Sequence, residues 1–439
     1  MSGRAAVILE QMGADAHVEL TRERLELLRF GASRVTYQHS EERETLRVRL
    51  VADGREAWGI TTDASPDGVA ALRERLVRNA AAQPAGSPQP LLAQAEAQPP
   101  MPTFHESTER ASADDRVAVM LALAAAMPPR TQLGGSVTHS IAEVEVANAS
   151  GLRRGERRTR ASVTAVAERD GHSSYLRCVG RDANGLTLSA SAARTAELLV
   201  EAEQDGLQPG RHRALLAPQA VVTLLATLGY VAFGADVYDS GASPFAAALG
   251  QLVLDPSLSI ADDAADPASL PTGFDPDGAL KRRVPLIDRG RLVGMVHDAR
   301  TAARAGVAST GHAVPPGWRF GAGPSPSHVV MDAGNASRHV LLDAVGEGIA
   351  IQRVDYVRVV QPRRGIVTGT TRDATMRVRG GRIVARLPSF RFTLSLPELF
   401  GQLMAIGAER EAGDTVFMES VVAPALVVPA FPVDEIAQR

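Results

Sequence analysis

The sequence changes character near residue 207, and this change limits the folds that are open to the chain. Before that point, long alternating stretches that predict strands are interrupted by helical segments; after it, short strands and glycines dominate. At 439 residues, the chain exceeds the size at which one hydrophobic core usually stops growing. We therefore predict an α+β protein: an N-terminal α/β domain over 1–207, with a mixed sheet and flanking helices, and a β-rich C-terminal domain over 208–439.

Hydrophobic spacing predicts the elements of the first domain. The leucines of TRERLELLRFG recur at roughly helical spacing and predict a helix over residues 21–31. Residues 33–62 alternate in the manner of strands around Asp53-Gly54, a dipeptide that is typical of a hairpin turn. The remaining predicted segments are helices over 69–82 and 114–127, a Pro-, Ala- and Gln-rich exposed linker or long loop over about 83–103, and a run of strands over about 132–191.

The second domain is predicted to contain few helices. It begins with a short strand over 212–218, which is followed by an apolar helix that includes residues 223–232. A long acidic, proline-containing loop covers 254–278, and one further helix is predicted over 395–410.

Charge and cysteine content exclude several classes of protein. The net charge of −3 gives no overall attraction to nucleic acid or to an anionic membrane. Lys281 is the only lysine, and we attribute the dominance of Arg to codon usage and assign it no function. A single cysteine, Cys178, excludes an internal disulfide framework and a multi-cysteine zinc cluster within one chain. Because the first twenty residues hold no sustained apolar segment, we expect a soluble, cytoplasmic protein without membrane or nucleic-acid partners.

Four segments that together span most of the chain resemble the TldD/PmbA family. In residues 273–313 the order of features is an acidic FDPDG, a strand, a turn with Gly290, a second strand, a helix led by Asp, and STGHA. Residues 215–253 resemble the family's helix and the Ser-x-Phe turn that follows it. The other two segments are 46–76 and 396–431.

The resemblance implies one of two chemistries. TldD-like members carry His-Glu-x-x-x-His on this helix and a cysteine near the C-terminus, which together bind zinc for peptide-bond cleavage. PmbA-like members, also called TldE-like, lack these ligands and pair with a TldD subunit. A catalytic zinc site needs three protein ligands, an open position for water and a nearby base.

This sequence supplies none of those ligands in either plausible register. Without gaps, the His, Glu and His positions are occupied by Ala226, Thr227 and Val231. Shifted by one residue, they are occupied by Leu225, Ala226 and Tyr230. The C-terminal cysteine position falls at Val416 or Phe417. Because both histidines, the base and the cysteine are missing together, the resemblance implies a PmbA-like chain with no metal ligand, no cofactor and no catalytic residue of its own.

A structural role explains the helix itself. Leu224, Leu228, Val231 and Ala232 fall at helical spacing, as they do in a helix that packs in a core. We therefore interpret this helix as a retained structural element whose metal chemistry is missing.

Other motifs give weaker signals. His105-Glu106 lacks the second histidine of a zincin because position 109 is Glu. Asp298 of VHDAR is expected to cap a helix N-terminus rather than to bind metal with His297. Ser309 and His312 have no identifiable third member of a triad, so turn chemistry is the simpler interpretation.

Two ligand-binding loops are also excluded. An EF-hand beginning at Asp275 would need oxygen ligands where Ala279 and Leu286 stand. The glycines at 321 and 323 lack the lysine and the helix of a phosphate-binding loop.

The predicted function is a non-catalytic subunit of a TldD/TldE-like heterodimeric zinc peptidase that processes or degrades peptides. Zinc is expected in a TldD-like partner, and an extended or unfolded peptide is the expected substrate. Two alternatives stay open: a homodimeric peptide-binding or scaffold protein, and a stand-alone hydrolase for which His297, Asp298 and His312 are the candidate set. The predicted contacts to a peptide or partner are Asp236, Ser243, Phe245, Asp298, Ser309 and His312.

Overall fold

A computed structural model describes residues 3–13, 15–84, 86, 88–93, 96–199, 203–315, 323–416 and 418–436. Its ten helices are α1 Arg4–Met12, α2 Pro66–Ala82, α3 Glu106–Glu109, α4 Ala113–Ala126, α5 Leu188–Glu197, α6 Pro218–Ala232, α7 Ala235–Asp239, α8 Ala299–Ala305, α9 Arg338–Val345 and α10 Leu396–Phe400. A single 3₁₀ turn in the described residues covers Pro362–Arg364.

Eighteen strands are distributed over two sheets in the described residues. Those of the first sheet are β1 Ala16–Gly31, β2 Arg34–Ala52, β3 Arg55–Thr61, β4 Gln132–Asn148, β5 Arg153–Arg169 and β6 His172–Gly180. Those of the second are β7 Gly210–Leu216, β8 Ile260–Asp262, β9 Val284–Asp288, β10 Arg291–Leu292, β11 His328–Met331, β12 Gly348–Gln361, β13 Ile366–Arg379, β14 Arg382–Arg386, β15 Phe390–Ser395, β16 Ala405–Thr415, β17 Met418–Val433 and β18 Glu435–Ile436.

The first sheet has the order β3-β2-β1-β4-β5-β6. Every described pairing in it is antiparallel, although we expected a mixed sheet. The reason is that short hairpins join β1 to β2, β2 to β3, β4 to β5 and β5 to β6, and a hairpin can only connect antiparallel strands. Helices α1 and α2 pack over one cluster of apolar side chains on this sheet, and α4 and α5 pack over a second one.

The second sheet has the order β10-β9-β8-β11-β17-β7-β12-β13-β15-β18, with β14 on β13 and β16 on β17. Two of its pairings are parallel, β11 with β17 and β12 with β7. Helix α6 packs against the apolar side chains of this sheet and forms the centre of the largest core cluster. The α+β class and the β-rich C-terminal part are therefore as predicted, whereas the border at residue 207 stays a prediction.

Residues 21–31 form the second half of strand β1, so the predicted helix is wrong. Strands β2 and β4 pair with β1 along nearly its whole length. Pairing also places opposite charges across the sheet, as in the 3.2 Å ion pair between Arg43 and Glu23. Two neighbouring strands therefore satisfy the backbone of β1, and this outweighs the local spacing of its leucines.

The predicted helix over 395–410 is correct only in its first turn. Helix α10 begins after Ser395, whose Oγ accepts a hydrogen bond from the amide of Glu398, and it ends at Phe400. The chain then forms β16, which pairs antiparallel with β17. Residues 405–415 form a strand because they pair with the long strand β17, and the local sequence alone could not reveal this pairing.

Several local predictions are confirmed. Asp53 and Gly54 have φ of 50° and 70° and join β2 to β3 in a hairpin. Helices α2 and α4 cover the predicted segments, and each begins after a serine cap. The described part of 83–103 contains no helix or strand, but Gln89 and Thr103 in it are buried against the first sheet, so this segment is not simply an exposed linker. No helix among the described residues is long and apolar enough to cross a membrane.

Candidate functional site

Helix α6 is mostly apolar because it lies inside the largest core cluster, against the second sheet. Eleven of its fifteen residues are buried, including Leu224, Leu228, Val231 and Ala232, so the predicted core role is confirmed. Pro218 at its first position fits the free amides of a helix start. At its other end, Ser243 Oγ donates a 2.8 Å hydrogen bond to the carbonyl of Ala232.

A cavity of about 450 Å³ lies against one face of this helix. Ala226 and Thr227 of α6 line it, together with Val416 at the end of the β16–β17 hairpin. The two segments that the resemblance singled out, almost two hundred residues apart, therefore meet in space. Leu225 and Val231 are buried in the core instead, Tyr230 packs partly buried against that core, and Phe417 lies outside the described residues.

Ion pairs hold the end of the β16–β17 hairpin, residues 414–416, in position; we call these residues the hairpin end. Asp414 pairs with Arg160 of β5 and with Arg177 of β6, whose Nε lies 2.6 Å from Oδ1 of Asp414. Arg177 also donates a 2.9 Å hydrogen bond to Thr164 Oγ1. Two strands of the first sheet thus position a hairpin of the second sheet, so the cavity depends on both halves of the chain.

An exposed aromatic residue borders the same cavity. Tyr356 of β12 has φ of 51°, a left-handed conformation that is costly for a bulky side chain. It lies where the register of β12 against β13 shifts between Asp355 and Arg358, and its side chain is 67% exposed. Val416 is 79% exposed, so two apolar side chains project beside the cavity. β-Bulges that redirect a side chain in this way are over-represented next to functional sites.

A second cavity, of about 410 Å³, lies between the two sheets. Strands β1, β4 and β5 supply one wall, and residues 272–276, Lys281, 313–315 and 326–328 supply much of the other. Asp414, Thr415 and Val416 line both this cavity and the one against α6. The two cavities therefore share the hairpin end as a common border.

The only lysine of the chain lies in this second cavity. Lys281 Nζ donates a 2.6 Å hydrogen bond to Ser327 Oγ, which is also 2.9 Å from Nδ1 of His328. Nε2 of His328 lies 2.9 Å from the carbonyl oxygen of Leu270. Burial, followed by the charge of Lys281, lowers the pKa of His328 to about 3, so this imidazole is neutral.

Asp262 holds this group of residues in place. Its Oδ2 accepts hydrogen bonds from the amides of Ser327 and His328, at 2.6 and 2.9 Å, and its Oδ1 is 2.8 Å from Nε2 of His312. Burial alone would raise the pKa of Asp262, but His312 and Lys281 outweigh that effect and hold the pKa below its usual range. Asp262 is therefore a buried carboxylate.

The FDPDG loop connects this cavity to strand β1 of the first sheet and to the segment around Gln89. Asp275 accepts hydrogen bonds from the amides of Asp277, Ala279 and Ala313, at 3.0, 2.9 and 2.8 Å. Asp277 accepts one from Gln89, and the carbonyl of Pro276 lies 2.8 Å from His17 Nε2. Burial raises the pKa of Asp275 to about 6; burial and the charge of Asp275 raise that of Asp277 to about 8. Near neutral pH this loop therefore carries less negative charge than its sequence suggests.

Models of two family domains match the chain. The PmbA/TldA metallopeptidase central domain matches residues 106–202, and the C-terminal domain of the same family matches 209–435. The chain belongs to the TldD/PmbA family. No curated protein matches its sequence.

Solved structures of three proteins share the TldD/PmbA fold over the whole chain. TldE from Thermococcus kodakarensis matches with a TM-score of 0.87 at 18% identity, covering 98% of this chain and 100% of that one. A candidate modulator of a DNA gyrase from Thermotoga maritima matches with 0.82 at 17%, covering 98% of each chain. A similar candidate from Bacteroides thetaiotaomicron matches with 0.81 at 16%, covering 99% of this chain and 100% of that one.

The residues at the TldD zinc position do not fit zinc. Ala226 and Val416 offer only methyl groups, and the hydroxyl of Thr227 donates a 2.8 Å hydrogen bond to the carbonyl of Thr223. Two carboxylates line the cavity, and both are already paired: Asp414 with two arginines and Asp355 with Arg372. In the described part of the chain, no three or more His, Cys, Asp and Glu side chains are grouped so that they could hold a metal ion.

Four of the six predicted contact residues are buried in this chain: Ser243, Phe245, Asp298 and His312. Ser243 caps the end of α6, and the ring of Phe245 lies 5.8 Å from that of Phe233. Asp236 lies in α7, and a side-chain carbon at Gly323 would clash with it, so the two segments are in close contact. Their contact with a peptide or a partner stays a prediction.

Local contacts engage each residue of the candidate set for a stand-alone hydrolase, His297, Asp298 and His312. Asp298 Oδ1 accepts a 2.7 Å hydrogen bond from the amide of Thr301, which confirms its predicted role as the cap of α8. His312 is buried against Asp262, with its pKa lowered by burial. The backbone of His297 and Nδ1 of His312 both contact the hydroxyl of Thr310, and Ser309 Oγ donates to the carbonyl of His297.

Sequence reasoning missed the residues around Lys281. Asp262 lies in the predicted acidic loop over 254–278 but was given no role there, and Ser327 and His328 stand 46 and 47 residues after Lys281. One signal was present: a single lysine stands among 47 basic residues, and we attributed that composition to codon usage. Because Lys281 lines a cavity, the single lysine was a better indicator of a candidate site than the excess of arginine was.

Proposed function

We propose that this chain is the metal-free subunit of a TldD/TldE-like peptidase and pairs with a TldD-like chain that holds the zinc. The observation that carries the proposal is the cavity in which Ala226, Thr227 and Val416 meet. It stands where a TldD-like chain would present its ligands, and its own side chains cannot bind a metal. Arg177, Arg353 and Arg358 also line it, and the two carboxylates of its lining, Asp355 and Asp414, are engaged in ion pairs with arginines.

The proposed role is to hold an extended peptide for the partner's zinc site. Tyr356 and Val416 offer exposed apolar surface beside the cavity, and aromatic side chains are common anchors of binding sites. An extended peptide can also add to the edge of a sheet through main-chain hydrogen bonds, which requires little of its sequence. Maturation or degradation of small peptides in the cytoplasm is the proposed context.

Native mass spectrometry of the tagged chain purified from its own host tests this proposal. We expect a heterodimer that carries one zinc, while the chain produced alone is free of metal. A metal-free homodimer from the same host would contradict the proposal and favour a peptide-binding or scaffold role.

A further inference from the structure

The hydrogen bond between Lys281 and Ser327 is unusual in its choice of partner. A partly buried lysine with carboxylates nearby normally pairs with one of them, and Asp262 and Asp275 both lie near enough to influence the pKa of Lys281. Backbone amides donate to Oδ2 of Asp262 and to both oxygens of Asp275, and Oδ1 of Asp262 lies 2.8 Å from Nε2 of His312. The described hydrogen-bond partner of Lys281 is instead a serine hydroxyl at 2.6 Å.

The serine is held in one orientation. The carbonyl of Leu270 can only accept a hydrogen bond, so Nε2 of His328 carries the proton and Nδ1 is an acceptor. While Lys281 is protonated, Ser327 Oγ therefore accepts from Lys281 and donates to Nδ1 of His328, 2.9 Å away. Once Lys281 is neutral, the hydroxyl of Ser327 can rotate and donate its proton to Nζ of Lys281 at the same 2.6 Å separation. The amide of Ser327 is fixed by Asp262, and its carbonyl accepts a 3.1 Å hydrogen bond from the amide of Ser420.

We propose that Ser327 and Lys281 form a serine–lysine catalytic dyad that cleaves an ester or amide in the cavity between the two sheets. Both side chains are partly exposed and line this cavity of about 410 Å³, which is large enough for an acyl group and its leaving group. Serine nucleophiles with a lysine base occur on several unrelated folds. This activity goes beyond the proposed peptidase subunit, because it needs neither zinc nor a partner.

The reaction balances with water as the only co-reactant. Neutral Lys281 takes the hydroxyl proton as Ser327 Oγ bonds to the carbonyl carbon, and Lys281 then gives this proton to the leaving oxygen or nitrogen as its bond to carbon breaks. The acyl group remains on Ser327. A water molecule attacks it next, passes a proton to Lys281, and releases the acid while Ser327 Oγ recovers that proton.

The electrostatics of the cavity suit this chemistry. Burial lowers the pKa of Lys281, and the charge of Arg158 lowers it further, while Asp262, Asp275 and Glu419 offset only part of the effect. A neutral amine thus forms at lower pH than on an exposed lysine, as a general base requires.

Labelling of the full-length chain with a fluorophosphonate tests the dyad, because such probes react only with activated serines. We expect one label per chain, located on Ser327 by peptide mapping, and no label in Ser327→Ala. Ser325→Ala, two residues away, is the matched control and should be labelled at the wild-type rate. The chain is used alone, so failure of the partner-subunit proposal would not affect this result.

The role of Lys281 is tested by the rate of fluorophosphonate labelling and by the dependence of that rate on pH. Lys281→Met and Lys281→Arg should both slow labelling by about 10²–10⁴-fold, since neither side chain can accept a proton near neutral pH. If Lys281 had only a structural role, Lys281→Arg would be labelled at the wild-type rate. In the wild type the rate should rise with pH and level off above the pKa of Lys281. Absence of a label on Ser327 between pH 6 and 10, or an unchanged rate in Lys281→Arg, would overturn the proposal. Thermal melts identify any variant that does not fold, in which case Ser327→Ala and the wild-type pH profile decide.

Discussion

Arg177 Nε lies 2.6 Å from Oδ1 of Asp414, and this ion pair joins strand β6 of the first sheet to the hairpin end that borders both cavities. Arg160 of β5 contacts the same carboxylate. The position of Val416 relative to α6 therefore depends on a contact between the two halves of the chain.

Asp414→Asn should lower the free energy of unfolding by about 1–3 kcal/mol, because two partly buried guanidinium groups would lose their counter-charge. Urea denaturation measures this. Asp170→Asn is the control: its 3.0 Å pair with Arg130 is exposed, and we expect a change within about 0.5 kcal/mol. Equal losses in the two variants would contradict the role given to Asp414.

Asp277→Asn should make the protein more stable than the wild type at pH 9. The folded-state pKa of Asp277 is raised to about 8, so the folded state binds this proton more tightly than the unfolded chain does. The stability that comes from the proton is fully present below the unfolded pKa of about 4 and is lost as pH rises through about 8. The melting temperature, followed from pH 5 to pH 9, should therefore fall less in the variant.

Asp275→Asn, unlike Asp277→Asn, should make the protein less stable. Asp275 accepts three backbone hydrogen bonds, so an amide that can accept at only one of its two ends should destabilise the loop. We expect a lower melting temperature across the same pH range. A variant that behaves like Asp277→Asn would show that burial, rather than hydrogen bonding, dominates at Asp275.

Tyr356→Gly should leave stability unchanged or raise it by up to about 1 kcal/mol, because glycine adopts the left-handed backbone without strain. The same change should weaken capture of a peptide by the assembled complex, which fluorescence anisotropy with a labelled unfolded peptide would measure. Tyr37→Gly in strand β2 is the control and should destabilise, because Tyr37 is in a regular strand. Unchanged peptide affinity in Tyr356→Gly would remove Tyr356 from the proposed binding surface.

Gly311→Ala should disrupt the Lys281 region. Gly311 has φ of 78°, and a side-chain carbon there would lie 2.3 Å from the carbonyl oxygen of Leu280, next to the lysine. We expect a loss of more than about 2 kcal/mol and slower labelling of Ser327. Gly306→Ala, with φ of 68° and open space around it, should cost only about 1 kcal/mol and leave labelling unchanged.

Local predictions were the most reliable ones. Asp53-Gly54 specifies a tight hairpin, and Asp298 specifies a helix start, because each acts through its own backbone and that of its immediate neighbours. The leucines of residues 21–31 were misleading since their environment is set by β2 and β4, and β4 lies more than a hundred residues further along the chain. The same limit applies to the helix predicted over 395–410, most of which pairs with β17 as strand β16.

The sequence by itself determined the family resemblance and the missing zinc ligands at Ala226 and Thr227, because both depend only on which residue stands at which position. It also determined the α+β class, through the spacing of apolar residues. Tertiary structure alone decided that Val416 lies beside α6, and that Lys281 meets Ser327 across 46 residues of sequence. Those contacts depend on strand pairing and on packing between distant segments, so no local pattern of residues encodes them.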